Sequence, residues 1–343
     1  MTRRILQIGY GAFGETHLRA WQALGLSSSL VLADPRPQAR AAALAIADDI
    51  EPVADFAPAL ARCDAVDIVT PSDTHHAIAA AALEAGKPVL IEKPMVGHSA
   101  QARDLAARAR RNGCVVRGGY FFRYHPKTVA LRRLLADGAL GQLRFLTGRF
   151  AGWKRTRTDS GALLNDAVHF IDLFTWLVGK KPTGLYAVTR DHFGRGLEDF
   201  ALVVLHFPGG AVAHIETGYI QPGRWPDAVV PGAVTSKEIA ISGSAGVAEI
   251  DYAGETMTYR AAGHVEREGT WLPQLSALRA IDAPAATPLA VVTAELAEFL
   301  KAIDSGEKSG DDGLDGGVAM AQILEAAARS AASGQAVGLD AGA

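Results

Sequence analysis

The stretch Ile5-Leu6-Gln7-Ile8-Gly9-Tyr10-Gly11-Ala12-Phe13-Gly14 decides the first half of the fold. Residues 5–9 read as a short apolar strand and residues 12–24 as a helix, with a G-x-G-x-x-G run between them. Alone the run is a weak signal, but a strand before it and a helix after it form the setting its mechanism needs. Gly9 permits a tight turn, Gly11 lets the backbone approach a pyrophosphate, and Gly14 lets the helix pack on the strand. Tyr10, Ala12 and Phe13 complete the loop and open the helix, whose first N–H groups present a partial positive charge to phosphates. Asp34 follows Gly14 by 20 residues, at the expected end of the second strand. An acidic side chain there accepts hydrogen bonds from the adenosine ribose and repels a 2′-phosphate, which favours NAD. Arg36 tolerates that phosphate and leaves NADP open as a second cofactor.

Outward from this loop, short apolar runs alternate with Ala-rich helical runs. Strands are expected at residues 29–34, 65–70, 89–91 and 115–117, with helices at 35–47, 73–85 and 99–112. Gly86 and Gly113 close two of the helices. Such alternation predicts a parallel sheet covered on both faces, an α/β Rossmann domain over residues 1–120.

The pattern changes near residue 120. Helices are expected at 125–137 and 161–178, and strands with period-two alternation at 143–150, 185–189, 200–207, 211–218, 237–242 and 247–252. Pro208-Gly209-Gly210 is a hairpin signal. Helices return at 289–303 and 317–333, with a Gly-, Ser- and Asp-rich loop at 304–315. Residues 121–343 therefore read as an α+β domain with an open, mostly antiparallel sheet.

Bulk properties narrow the class. A chain of 343 residues, 49% hydrophobic, has material for two domains. The net charge is −3, with no block of like charge, so neither nucleic acid nor an anionic membrane is favoured as a partner. The nearest basic cluster, Lys154, Arg155 and Arg157, reads as a solvated loop or as a contact for an anionic substrate. Cys63 and Cys114 have no metal-type spacing and suggest a reducing compartment. No apolar stretch is long enough to span a bilayer, and the N-terminal apolar run is only a strand long. These features read as a cytoplasmic protein without a metal site.

At Glu92-Lys93-Pro94 the chain resembles the Gfo/Idh/MocA oxidoreductases, the family of glucose–fructose oxidoreductase and inositol dehydrogenase. The resemblance runs from Ile8 to about Val178. It covers Gly9–His17, Thr70-Pro71-Ser72-Asp73-Thr74-His75, the run from Ala85 to Pro94, Tyr120-Phe121-Phe122-Arg123-Tyr124-His125-Pro126, and the run from Gly161 to Asp172. It implies a Rossmann domain, a substrate-binding and oligomerisation domain, and sheet faces that pair into homodimers or homotetramers. It also implies that the loop of Thr70, Pro71 and His75 lines the cofactor.

Lys93 follows a strand at the C-terminal edge of the parallel sheet, where such sheets bind ligands. The resemblance gives it the reacting hydroxyl and the cofactor to hold; an ammonium beside a C–O bond stabilises alkoxide character. Glu92 is placed to pair with it. His169 is the candidate general base, with an ordinary pKa suited to proton transfer near neutrality. Asn165, His169 and Asp172 share one face of the expected helix. Many members carry aspartate four residues before the histidine; here that place is Asn165, with Asp166 beside it, as in members acting on sugar nucleotides. Asn165 can orient a hydroxyl or His169, and Asp166 either reaches His169 or points elsewhere. Arg123 and Tyr124, and less strongly Trp153 and Lys154, are candidate contacts for a polyol or sugar substrate.

The expected activity is hydride transfer between NAD and a secondary alcohol of a sugar, cyclitol or sugar derivative. Two other readings stand beside it: NAD(P) held tightly and used cyclically, as in transhydrogenating oxidoreductases or NAD-dependent glycosidases, and a non-catalytic NAD(P)-sensing regulator.

Overall fold

The computed structural model describes residues 3–307 and 313–339. The chain divides into two compact units, one of residues 1–124 and 287–325, the other of residues 125–286 and 326–343. The first break, at Tyr124, lies close to the change of pattern near residue 120. The second was hidden in the sequence, where residues 287–325 read as part of the C-terminal domain.

The first unit holds a parallel sheet of β1 (Ile5–Ile8), β2 (Leu30–Ala33), β3 (Glu51–Val53), β4 (Ala65–Ile68), β5 (Val89–Glu92) and β6 (Val116–Gly119). Its strand order is β3-β2-β1-β4-β5-β6. The chain runs outward from β1 to β3, then returns to place β4 beside β1. The loops after β1 and β4 therefore meet at the switch point, where sheets of this kind open a ligand crevice. Pro52 lacks a ladder donor and sits in β3, an edge strand, where that lack is tolerated.

Helices cover both faces. α1 (Ala12–Ala23) buries Gly14, His17, Leu18 and Trp21, spaced so that they form one helical stripe. With α2 (Pro37–Leu44) it lies over Ile5, Leu30 and Leu32. On the opposite face α3 (Ala57–Leu60), α4 (His75–Glu84) and α5 (Ser99–Asn112) cover Leu6, Val66 and Ile91. The helix α8 (Pro288–Ser305) joins the α1 side of this core through Val292, Leu296 and Phe299. Burying such side chains contributes roughly 2 kcal/mol each, which draws α8 to this unit despite its late place in the chain.

The second unit contains α6 (Pro126–Ala136), α7 (Val168–Val178) and a long sheet. Its strands are β7 (Leu143–Trp153), β8 (Gly184–Arg190), β9 (Phe200–His206), β10 (Val212–Gly218), β11 (Trp225–Pro226), β12 (Val234–Gly243), β13 (Gly246–Asp251), β14 (Thr256–Arg267), β15 (Thr270–Leu275), β16 (Arg279–Ala280) and β17 (Val337–Gly338). The order is β15-β14-β13-β12-β7-β10-β9-β8-β17, with β11 on β12 and β16 on β14. Only the β7–β10 pairing is parallel among the described residues, so the sheet is mostly antiparallel, as expected.

One face of this sheet carries α7. A Cβ at Gly148 would stand 2.7 Å from the Phe170 ring, so this glycine lets α7 lie close on β7. The other face carries a charge ladder, Arg149 between Glu216 on β10 and Glu238 on β12, at 3.3 and 3.5 Å. The helix α9 (Leu314–Ser333) starts three residues earlier than the expected 317. Residues 308–312 of the expected 304–315 loop lie outside the described residues. Among the described residues no helix is long and apolar enough to cross a membrane.

Candidate active site

The three glycines of the first loop divide their work. Gly9 has φ +101°, and a Cβ there would lie 2.5 Å from the Val69 carbonyl oxygen of the neighbouring loop. A Cβ at Gly14 would lie 2.7 Å from the Gly9 carbonyl oxygen. Both are demanded by the protein's own packing. Gly11 is extended, with φ −101° and ψ −166°, and a Cβ there would meet nothing within 4 Å. The fold leaves this space open, and it fronts the N-terminus of α1, which has no side-chain cap. Ala12 and Phe13 carry the first helical N–H groups. The arrangement fits an NAD pyrophosphate, held by backbone N–H groups at the end of the helix.

Asp34 is almost sealed from solvent, 3% exposed, just beyond the end of β2. Its Oδ2 accepts from the Tyr10 amide at 3.0 Å and from Arg36 Nη2 at 2.8 Å. Its Oδ1 accepts from the Arg36 amide and Nε, both at 2.9 Å. Burial works to raise its pKa, but the Arg36 guanidinium and the two amides hold it below the ordinary carboxylate value. Asp34 and Arg36, which favour different cofactors in the sequence, are joined in one ion pair.

The loops after β4 and β5 are tied together by His75. Its Nε2 lies 2.9 Å from the Thr70 carbonyl oxygen and its Nδ1 3.0 Å from that of Pro94. Burial lowers its pKa, outweighing the two carbonyls that favour the protonated ring. Thr74 Oγ1 bonds to Thr70 Oγ1 and to the Pro71 carbonyl oxygen, both at 2.7 Å. At the end of β5 the Lys93 amide donates to Glu92 Oε2 at 3.2 Å. Arg123 is buried in the turn Phe121–Tyr124, its guanidinium 5.4 Å from the Tyr120 ring centroid.

In the second unit the expected helix 161–178 is not uniform. Residues Leu163–Ala167 form a π-helical turn before α7. Such widened turns recur at functional sites. The turn shifts the register at Asn165, so the face expected for Asn165, His169 and Asp172 changes: Asn165 is half-buried, while Asp166, His169 and Asp172 are buried. Asp166 Oδ2 accepts from Lys154 Nζ at 2.8 Å, and Asp166 Oδ1 from Asn165 Nδ2 at 2.8 Å. The Lys154 ammonium also lies 4.3 Å from the Phe150 ring centroid and 5.2 Å from that of Tyr219. The His169 ring lies 5.7 Å from that same Phe150 ring.

Three residues of this cluster, Lys154, Glu198 and Tyr219, carry little or no signal in the sequence pattern. Lys154, expected in a basic loop and as a weaker substrate contact, has its charge matched by Asp166 and its side chain buried. Arg157 of the same loop pairs with Asp159 at 2.6 Å. Glu198 Oε1 accepts from the Leu163 amide at 3.0 Å, and a Cβ at Gly161 would collide with the Glu198 carboxyl group. Tyr219 is buried beside Asp166 and Glu198; burial and those two carboxyl groups push its pKa far upward. Neither Glu198 nor Tyr219 lies in a motif, and their distance in sequence left no signal. Trp153, by contrast, is 60% exposed at the end of β7.

Fold and loop together define a dinucleotide-binding Rossmann protein. Residues 3–120 match the GFO/IDH/MocA oxidoreductase family with its NAD-binding Rossmann fold, and residues 128–249 match the C-terminal domain of that family. The chain belongs to this family, whose cofactor is NAD. It is 30% identical to inositol 2-dehydrogenase 2 of Saccharopolyspora erythraea, over 63% of this chain and 66% of that protein. It is 28% identical to UDP-N-acetylglucosamine 3-dehydrogenase of Acidithiobacillus ferrooxidans, over 93% and 94% of the two chains. The solved structure of levoglucosan dehydrogenase with NADH and levoglucosan superposes with a TM-score of 0.81, covering 97% of this chain and 98% of that one, at 21% identity, a likeness of fold.

Proposed function

We propose that this protein oxidises a secondary alcohol of a sugar, cyclitol or sugar derivative. The observation that carries the reading is Gly11, whose missing side chain serves nothing in the fold and leaves room for a dinucleotide at the α1 N-terminus. Bound NAD supplies the hydride acceptor at its nicotinamide ring. Gly9, Tyr10, Gly11, Ala12, Phe13 and Gly14 hold the pyrophosphate, Asp34 and Arg36 the adenosine ribose, and Thr70, Pro71, His75 and Glu92 shape the remaining wall.

His169 takes the hydroxyl proton as general base. Lys93 stabilises the negative charge that develops on the same oxygen. Asn165 positions a hydroxyl group, with Asp166 fixing the Asn165 amide. Arg123, Tyr124 and Trp153 contact the substrate. The second unit supplies substrate contacts and the subunit interface of a homodimer or homotetramer, and the enzyme works in the cytoplasm.

A relative that aligns along almost all of the chain acts, by its name, on a nucleotide sugar. Asparagine at position 165 points the same way through the family resemblance. The test is reduction of NAD and NADP, read at 340 nm, across inositols, aldoses, levoglucosan and UDP-N-acetylglucosamine. Lys93→Ala and His169→Ala each lower turnover at least 100-fold if the roles are right. Full turnover in both variants would refute the assignment.

A further inference from the structure

His17 is wholly buried on the sheet side of α1, although nothing in the proposed reaction uses it. Its Nδ1 lies 2.9 Å from Asp67 Oδ2 on β4, and its Nε2 lies 3.4 Å from Glu92 Oε1 on β5. Trp21 Nε1 donates to the same Asp67 oxygen at 2.9 Å. Among the described residues, His75 on α4 also interacts with the Glu92 charge, and burial lowers its pKa. Gln7 on β1 spends its amide on the Gly9 and Gly14 carbonyl oxygens, and the Phe13 ring meets His17 edge-on at 5.1 Å. On β6, a Cβ at Gly119 would collide with Glu92 Oε1, so the glycine makes room for this carboxyl group.

Glu92 is thus bracketed. One oxygen faces His17, and the other accepts the Lys93 amide. We propose that His17 is a positioning residue for Lys93, holding one oxygen of Glu92 so that the other fixes the Lys93 amide at the end of β5. The same helix begins at the glycine loop, so one side chain ties the cofactor's helix to the strand end that carries the lysine. Nδ1 is hydrogen-bonded to Asp67, while Nε2 faces Glu92 Oε1 at 3.4 Å as an ion-pair contact without hydrogen-bond geometry, and two carboxyl groups around one ring favour its protonated form. Burial pulls the other way, yet Asp67 and then Glu92 overcome it and raise the His17 pKa to about 10.

The inference rests on the role proposed above for Lys93, but its first two readouts need no substrate. The apo protein and its His17→Gln variant are labelled with acetic anhydride across a pH series, and Lys93 acetylation is read by peptide mass spectrometry against exposed Lys301. In the variant the half-reaction pH of Lys93 moves by about half a unit or more, while Lys301 is unchanged. An unmoved Lys93 profile in a folded variant overturns the proposal. Should the variant fail to fold, wild-type protein decides: with 15N-labelled histidine, one ring stays doubly protonated at pH 9, where ordinary histidines are neutral. If every ring is neutral at that pH, the bracket is not built as proposed and the idea falls. With a substrate in hand, His17→Gln lowers kcat about 10- to 100-fold and leaves the KM for NAD within about threefold. A moved Lys93 profile without turnover of any substrate by the wild type keeps the positioning role and refutes the dehydrogenase reading.

Discussion

Lys154 Nζ and Asp166 Oδ2 stand 2.8 Å apart, with only 6% and 2% of their side chains exposed. Two charges so withdrawn from water stabilise each other only while both are present. Lys154→Met leaves the Asp166 carboxyl group buried without its cation and costs about 3–5 kcal/mol in urea unfolding. The double variant Lys154→Met with Asp166→Leu costs less than the single one, since no charge is then stranded. If the single change costs under about 1 kcal/mol, the pair is not the closed ion pair described. The double variant also removes the Asp166 acceptor of the Asn165 amide and should lower turnover about tenfold while stability recovers.

Asp34 offers roughly four acceptor sites as an ionised carboxylate, and the Tyr10 amide with three Arg36 donors takes them. In the proposed role of Asp34, the ribose of NAD competes with Arg36 for that carboxylate, whereas a 2′-phosphate would draw the guanidinium away. Arg36→Ala should therefore hold or raise kcat/KM for NAD and lower it about 10-fold for NADP, the loss of one charge-assisted contact. Asp34→Ala should do the reverse. Steady-state constants with both cofactors decide, and a fall in NAD use on removal of Arg36 would count against the competition.

The alternation along residues 5–117 and the dinucleotide loop were legible because a parallel sheet repeats one local pattern, and each repeat is close in sequence. What escaped was short or distant. β3 has three residues, one of them Pro52, and its edge place is visible only once the strand order is known. The π-helical turn at Leu163–Ala167 leaves the helical run of residue types intact while shifting its register. The Lys154–Asp166 pair joins a loop to that turn, and Tyr219 comes from beyond β10, so composition and spacing carried no trace of the cluster. His17 was within reach: a histidine on the stripe Gly14, Leu18, Trp21 is a polar side chain facing a core, which requires a partner.

The contrast between Gly9 and Gly11 yields a sharper test of the cofactor loop than loss of activity. Gly9→Ala forces a left-handed backbone and a Cβ 2.5 Å from the Val69 carbonyl oxygen, so it should cost about 3 kcal/mol of stability. Gly11→Ala meets open space and should leave the melting temperature of the apo protein unchanged. It should weaken NAD binding at least about tenfold, as its methyl group fills the phosphate approach. Thermal melts with and without NAD separate the two: the Gly11 variant loses the ligand-induced rise in Tm that the wild type shows. Equal destabilisation of the apo protein by both changes would overturn the division.

Acid stability should bear the mark of Asp227. Its Oδ2 lies 2.8 Å from Lys237 Nζ and accepts from Thr235 Oγ1 at 2.9 Å, and its Oδ1 accepts the Val229 and Val230 amides. Burial works to raise its pKa, but Lys237 and the amides prevail and bring it to about 2 from an ordinary value of 3.8. A carboxyl group with a lowered pKa in the folded chain stabilises it fully above the unfolded value, and loses that contribution as pH falls from about 4 towards 2. The shift corresponds to roughly 2 kcal/mol. Asp227→Asn should therefore be less stable than the wild type at pH 7 by about that amount, and the gap should close as pH falls through this window. Urea midpoints taken from pH 7 to pH 2 give the comparison. A gap that stays constant across the window would mean that lost packing, not the charge of Asp227, sets the cost.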